Sequence, residues 1–229
     1  MTDTAAVSTD EFFRLIGSGD QPAVQQALRH DPLLADARTA QGIPATLWAL
    51  YHERGDLAAW LGLQRSALDF AEQIALGHVT AVRELIEADP ALLQTRSADG
   101  FTVLGLAVFF RQGALARWMI EQGADVNACA DNAMRVGPIH AAVARGDLQT
   151  LQALLDAGAD PDTPQAHQVR PIHAAALAGN TVIVALLHFH GADPGLPNEQ
   201  GDTPAMLARR AGHEALARRL ERLAQARTA

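Results

Sequence analysis

Pro138-Ile139-His140-Ala141-Ala142 recurs 33 residues later as Pro171-Ile172-His173-Ala174-Ala175, and Pro204 stands a further 33 residues on in Thr203-Pro204. A period of this length means that one supersecondary unit is used again and again. No such unit buries its apolar face alone, so the core must come from stacking neighbours. Each unit is marked by two turns 12 residues apart, Gly146 and Gly158 in one, Gly179 and Gly191 in the next. Read backwards, Arg111 and Gly123 fit with Arg in the glycine slot. Gly77 with Asp89 and Gly19 with Asp31 also fit, with Asp-Pro in place of Gly-Ala-Asp. The stretch between those last two is short. It runs through Trp48, Tyr51, His52, Glu53, Arg54 and Gly55, and its second helix is expected to stop at Gly62 with no Gly-Ala-Asp turn after it.

The motifs Pro-Ile-His-Ala-Ala, Leu-Leu and Gly-Ala-Asp resemble those of ankyrin repeats, and they cover nearly the whole chain. The resemblance implies an all-α ankyrin repeat solenoid of about seven helix-turn-helix units joined by short β-hairpin loops. The first two units are degenerate and the C-terminal end is a polar cap. We place the units at roughly 9–38, 42–64, 66–96, 100–129, 136–162, 169–195 and 201–226, as one domain spanning 1–229. Within the fifth, Leu148, Leu151, Leu154 and Leu155 recur at helical spacing and are expected on one buried face. Pro138 suits a first helical turn. Gly146, Gly179, Gly158, Gly191 and Gly123 suit left-handed helix ends.

Net charge is −8, and all 18 basic residues are Arg, a compositional hint of a bacterial source. An acidic chain has no general attraction to nucleic acid or to an anionic membrane, so neither is expected as a partner. No apolar run spans a bilayer, and the N-terminus lacks the basic and apolar regions of a signal peptide. We expect a cytoplasmic monomer. From Thr203 onward the balance reverses, with six Arg against two Glu. Arg218, Arg219 and Arg222 read as a polar cap with charge favourable to a helix C-terminus, or as a site for an anion or an acidic partner.

Nine histidines invite a metal reading. His140 and His173 belong to the repeat motif, however, and equivalent positions in adjacent units lie about 10 Å apart, too far to share one zinc. The resemblance implies that each bonds a preceding Thr. Gly137 and Arg170 hold that slot here, so backbone groups must serve instead. His188-Phe189-His190 is unusual because His188 falls in a core slot, where a satisfied or half-exposed ring is expected. No nucleophile-base order, phosphate loop or paired-cysteine spacing appears, and we expect no cofactor, no metal and no catalysis. Asp125, Asp160 and Asp193 are expected to cap turns. Cys129 is expected on an exposed hairpin.

The resemblance also implies that the two residues before the inner-helix glycine face a concave groove. Those pairs are Glu53-Arg54, Ala75-Leu76, Phe109-Phe110, Ala144-Arg145, Leu177-Ala178 and, at a shifted register, Arg209-Arg210. We expect the partner, an unidentified protein, to contact Phe109, Phe110 and Arg111 at the centre with Leu76, Arg145 and Leu177 beside them. Met134, Arg135 and His167 would add contacts from the hairpin tips. Burial of one or both Phe rings as core is the competing expectation, and Arg111 in a glycine slot should have strained backbone geometry. Two other functions compete: a secreted bacterial effector acting on a host protein, and an enzyme with a site near Trp48, Tyr51 and His52.

Overall fold

The computed structural model describes residues 7–228. Fourteen α-helices form seven successive pairs among the described residues, with no β-strand between them. The chain divides into two compact units, Met1–Leu92 with Arg96–Asp99, and Leu93–Thr95 with Gly100–Ala229. The first holds α1 (Thr9–Ser18), α2 (Gln21–His30), α3 (Ala45–Tyr51), α4 (Gly55–Gln64), α5 (Phe70–Leu76) and α6 (Val79–Ala88). The second holds α7 (Val103–Phe109), α8 (Gly113–Glu121), α9 (Pro138–Arg145), α10 (Leu148–Asp156), α11 (Pro171–Leu177), α12 (Thr181–Phe189), α13 (Pro204–Arg210) and α14 (Glu214–Thr228).

Local chemistry sets these boundaries. Pro138, Pro171 and Pro204 open inner helices, where a missing N–H costs nothing. Gly146 (φ 66°) and Gly179 (φ 68°) then turn the chain through left-handed backbone. Two residues later the outer helix starts on an accepting side chain: Asp147 receives the Thr150 amide at 3.0 Å and Asn180 the Ile183 amide at 3.0 Å. Asp125, Asp160 and Asp193 cap the following turns, accepting from the amides of Asn127, Asp162 and Gly195 at 2.9, 2.9 and 2.8 Å. Neighbouring turns are also tied together, since Asn127 accepts the Asp160 amide and Asp162 accepts the Asp193 amide. Ala141, Ala142, Ala175 and Ala176 are buried, their small side chains letting the inner helices pack closely.

Three expectations change. The hairpin loops form turns, not strands: Gln165 bonds Val169 and Asn198 bonds Asp202, each at 2.9 Å, and successive tips join through single backbone bonds. Ala166 donates to Met134 at 2.9 Å and Glu199 to His167 at 3.0 Å. Such isolated bonds stack the tips without building a ladder. Second, Gly62 does not end α4, which continues to Gln64. Its lack of a side chain instead admits Leu76, because a Cβ there would sit 3.1 Å from Leu76 Cδ1. Third, Leu148 is exposed at the start of α10, while Leu151, Leu154 and Leu155 are buried.

The degenerate second pair is anchored by charge. After α4 the chain turns at Arg65, whose side chain is 4% exposed and lies 3.1 Å from the wholly buried Glu72 carboxylate. Arg65 also donates to the carbonyls of Ala35 and Ala67. Glu72 accepts the Asp69 amide at 2.9 Å, and Asp69 accepts the Glu72 amide at 2.9 Å, a reciprocal cap on α5. Burial pushes the Glu72 carboxyl above the ordinary carboxylate range; the Asp69 amide and Arg65 pull it part of the way back.

Candidate functional site

In the second unit the inner-helix ends build an aromatic and cationic patch. The residues of α7 from Val103 to Val108 are buried, which leaves Phe109 and Phe110 at its end, both half-buried. Their rings meet edge-on at 5.1 Å. From the next repeat Arg145 lays its guanidinium over the Phe109 ring, 4.1 Å from the centroid. Its Nε is buried and makes no hydrogen bond, so the ring face is the partner that offsets its desolvation. Leu177, one repeat further in the slot equivalent to Phe109, is 52% exposed. Arg145 thus covers Phe109, the first ring of the pair.

Arg111 is exposed and takes φ 62°. A left-handed conformation costs an L-residue about 1–2 kcal/mol, which glycine avoids. Arg111→Gly should therefore raise stability by about 1 kcal/mol in a urea melt. A loss of stability would mean that the Arg side chain holds this turn together.

The other positions separate. Met134 is 59% exposed, and Arg135 is exposed at φ 51°. His167 (φ 58°) is exposed and its Nδ1 lies 2.8 Å from Glu199, which fixes the ring along the tips. Leu76 belongs to the first unit, half-buried against that unit's core cluster. Ala75 beside it is buried. The Glu53-Arg54 pair does not precede the turn as expected: Glu53 itself takes the left-handed conformation (φ 59°), and Gly55 begins α4. Cys129 is half-buried, not exposed, because its Sγ packs where a Cβ on Gly137 would come within 3.2 Å. Phe189 stands out in the sequence only through its neighbours, yet it is 84% exposed.

The motif histidines are held by backbone groups. His140 Nδ1 accepts the Gly137 amide at 3.1 Å, and its Nε2 lies 2.9 Å from the Thr163 carbonyl. His173 Nδ1 accepts the Arg170 amide at 3.1 Å. His188 is half-buried with Nδ1 3.3 Å from the Ala192 carbonyl. Among the described residues no group of three or more His, Cys, Asp or Glu is placed to hold a metal. Burial pushes the His140 imidazole down to about 4, and lowers that of His173 as well. The neutral ring is the native form. His140 therefore contributes stability that is complete above the ordinary histidine value of about 6.5 and is lost as pH falls from there to about 4. The loss should reach up to about 3 kcal/mol, since each pH unit between the two values is worth about 1.4 kcal/mol. Urea melts between about pH 7 and 4 measure it. A His140 resonance titrating at the ordinary histidine value in the folded protein would contradict it.

Around Trp48 the aromatic groups serve packing. The indole donates to the Phe13 carbonyl at 2.9 Å, and its ring meets His52 at 4.7 Å. One open depression in this unit is lined by Gln25, Leu28, Arg29, Trp60 and Gln64, with neither a carboxylate nor a histidine. No helix among the described residues is long and apolar enough to cross a membrane.

Comparison with known proteins fits this architecture. The family model of ankyrin repeats, in three copies, matches residues 139–225. Over 100 residues the chain is 37% identical to cyclin-dependent kinase 4 inhibitor B of Bos taurus, a match that takes in 43% of this chain and 72% of the bovine protein. The chain belongs to the ankyrin repeat family. The family match begins at α9 and ends within α14, so the repeats of this ankyrin repeat protein that it takes in include those carrying Arg145 and Leu177. An ankyrin repeat protein of this kind is a protein–protein interaction module.

Proposed function

We propose that this ankyrin repeat protein, acting as one domain in the cytoplasm, holds a segment of a protein partner against Phe109, Phe110, Arg111, Arg145 and Leu177, with Met134, Arg135 and His167 contributing from the tips. It acts by occupancy and catalyses no reaction. The observation that carries this reading is the half-open stack: Arg145 over Phe109, with Phe110 edge-on to it. Aromatic and Arg side chains together, partly desolvated, are the residue types that dominate binding energy at interfaces. Arg111 supports it too, since strained backbone such as its left-handed conformation in a glycine slot clusters at functional sites.

The bovine relative is named as an inhibitor of a cyclin-dependent kinase, so purified cyclin-dependent kinase 4 is a first partner to assay. Affinity capture from the native cell supplies others. For any partner so identified, Phe110→Ala should weaken binding by about 2 kcal/mol or more while leaving the thermal melt nearly unchanged, and Gln165→Ala at a tip should cost far less. Unchanged affinity with a melt several degrees lower would make the aromatic pair core and the groove assignment wrong.

A further inference from the structure

The outer helix α12 is apolar on two faces. Ile183, Val184 and Leu187 are buried in the core of the second unit. Val182 is 57% and Phe189 84% exposed, seven residues apart and so on one side of the helix, with the half-buried Leu186 between them. An outward stripe of this kind is not needed by the repeat: on the preceding outer helix Gln149 and Asp156 hold the slots of Val182 and Phe189, and both are exposed.

What flanks the stripe gives it a direction. The segment from His213 through α14 reaches both ends of α12. His213 meets the backbone at Gly179 before α12, and Ala224 and Arg227 meet the turn after it, with Arg227 donating to the Gly191 carbonyl at 2.9 Å. Matching Gly179 to Gly212 puts Arg218, Arg219 and Arg222 level with Ala185, Leu186 and Phe189. All three Arg are exposed, and none has an ion pair among the described residues. Their neighbours differ: Arg209 pairs with Glu214 and Glu221, Arg210 with Asp202, and Arg227 with Asp193. The helix-end reading of these charges belongs to Arg227 alone, since only it lies in the last turn of α14. On the other side, α10 presents the exposed Asp156, 3.9 Å from His190.

We infer that the outer face of α12 and α14 is a second docking surface, distinct from the groove, whose occupant is an amphipathic acidic helix of a protein partner. Val182, Leu186 and Phe189 take the apolar side chains of that helix, and Arg218, Arg219 and Arg222 take carboxylates along one of its flanks. Charge complementarity selects this occupant. Three cations free of internal carboxylates stand on one edge of an apolar stripe in a chain of net charge −8. An anionic bilayer fits less well, because Asp156 on the opposite edge and the acidic chain as a whole would be repelled by it.

The test is a displayed library of helical peptides, each about 18 residues or five turns long, with a fixed leucine stripe and flanks varied among Glu, Lys and Gln, sorted against the whole chain. Enriched peptides should carry Glu on one flank. They should lose at least about tenfold in affinity for Phe189→Ser and for the double substitution Arg218→Glu, Arg222→Glu, and weaken as salt rises. These side chains are exposed, so thermal melts of the variants report that the fold is kept. Phe110→Ala should leave peptide binding unchanged, which separates this surface from the groove. The inference is overturned if no peptide is enriched, if flank charge or these substitutions have no effect, if phosphatidylserine vesicles bind the wild type and not the variants, or if sedimentation shows a dimer that Phe189→Ser dissolves.

Discussion

Replacing Arg65 with Ala should destabilise the protein by about 3–5 kcal/mol, because it leaves the Glu72 carboxylate buried with its ionic partner gone. The size of the loss depends on the charge left behind rather than on the attraction removed. The double variant Arg65→Met, Glu72→Leu should therefore recover most of it, as buried ion pairs replaced by apolar groups of similar volume often do. The pH dependence has a definite sign. Burial already raises the folded-state pKa of Glu72 above its ordinary value, and loss of Arg65 raises it further. Between the unfolded and folded values the native state binds the extra proton, so stability declines as pH rises through that window. The deficit of Arg65→Ala relative to wild type should then shrink as pH falls toward the ordinary carboxylate range. Urea melts at several pH values check this. A deficit under about 1 kcal/mol at neutral pH, or one that grows on acidification, would show that this pair does not anchor the turn after α4.

Leu154→Ala should cost about 2–5 kcal/mol. Leu154 is wholly buried in α10, which packs against both α9 and α8, so the cavity would open where one repeat meets the next. Leu148→Ala is the control on the same helix. That side chain is exposed, and its loss should fall within about 0.5 kcal/mol of wild type. Equal effects from the two would place α10 in the wrong rotational register.

The sequence by itself determined the repeat, and through it the helix pairs. The 33-residue spacing of Pro138, Pro171 and Pro204, the glycines at the helix ends and the Asp residues after them are local signals. A left-handed turn, a missing N–H or a side-chain cap acts within about four residues, so each can be read without knowing its neighbours in space. Glu53 marks the limit of such reading. Glycine is the usual residue for that turn, Gly55 stands two residues away, and nothing local shows which of them takes positive φ.

Tertiary structure alone decided what lies across repeats. Arg65 and Glu72 are seven residues apart on different elements, and only packing buries them together. Arg145 covers Phe109 because the next repeat brings it there, 36 positions along the chain. The stripe of Val182 and Phe189 was invisible for the opposite reason: apolar residues at helical spacing look the same whether a neighbour covers them or solvent does. In a repeat array each unit has one face that the next unit buries and one that nothing does, and composition does not distinguish them.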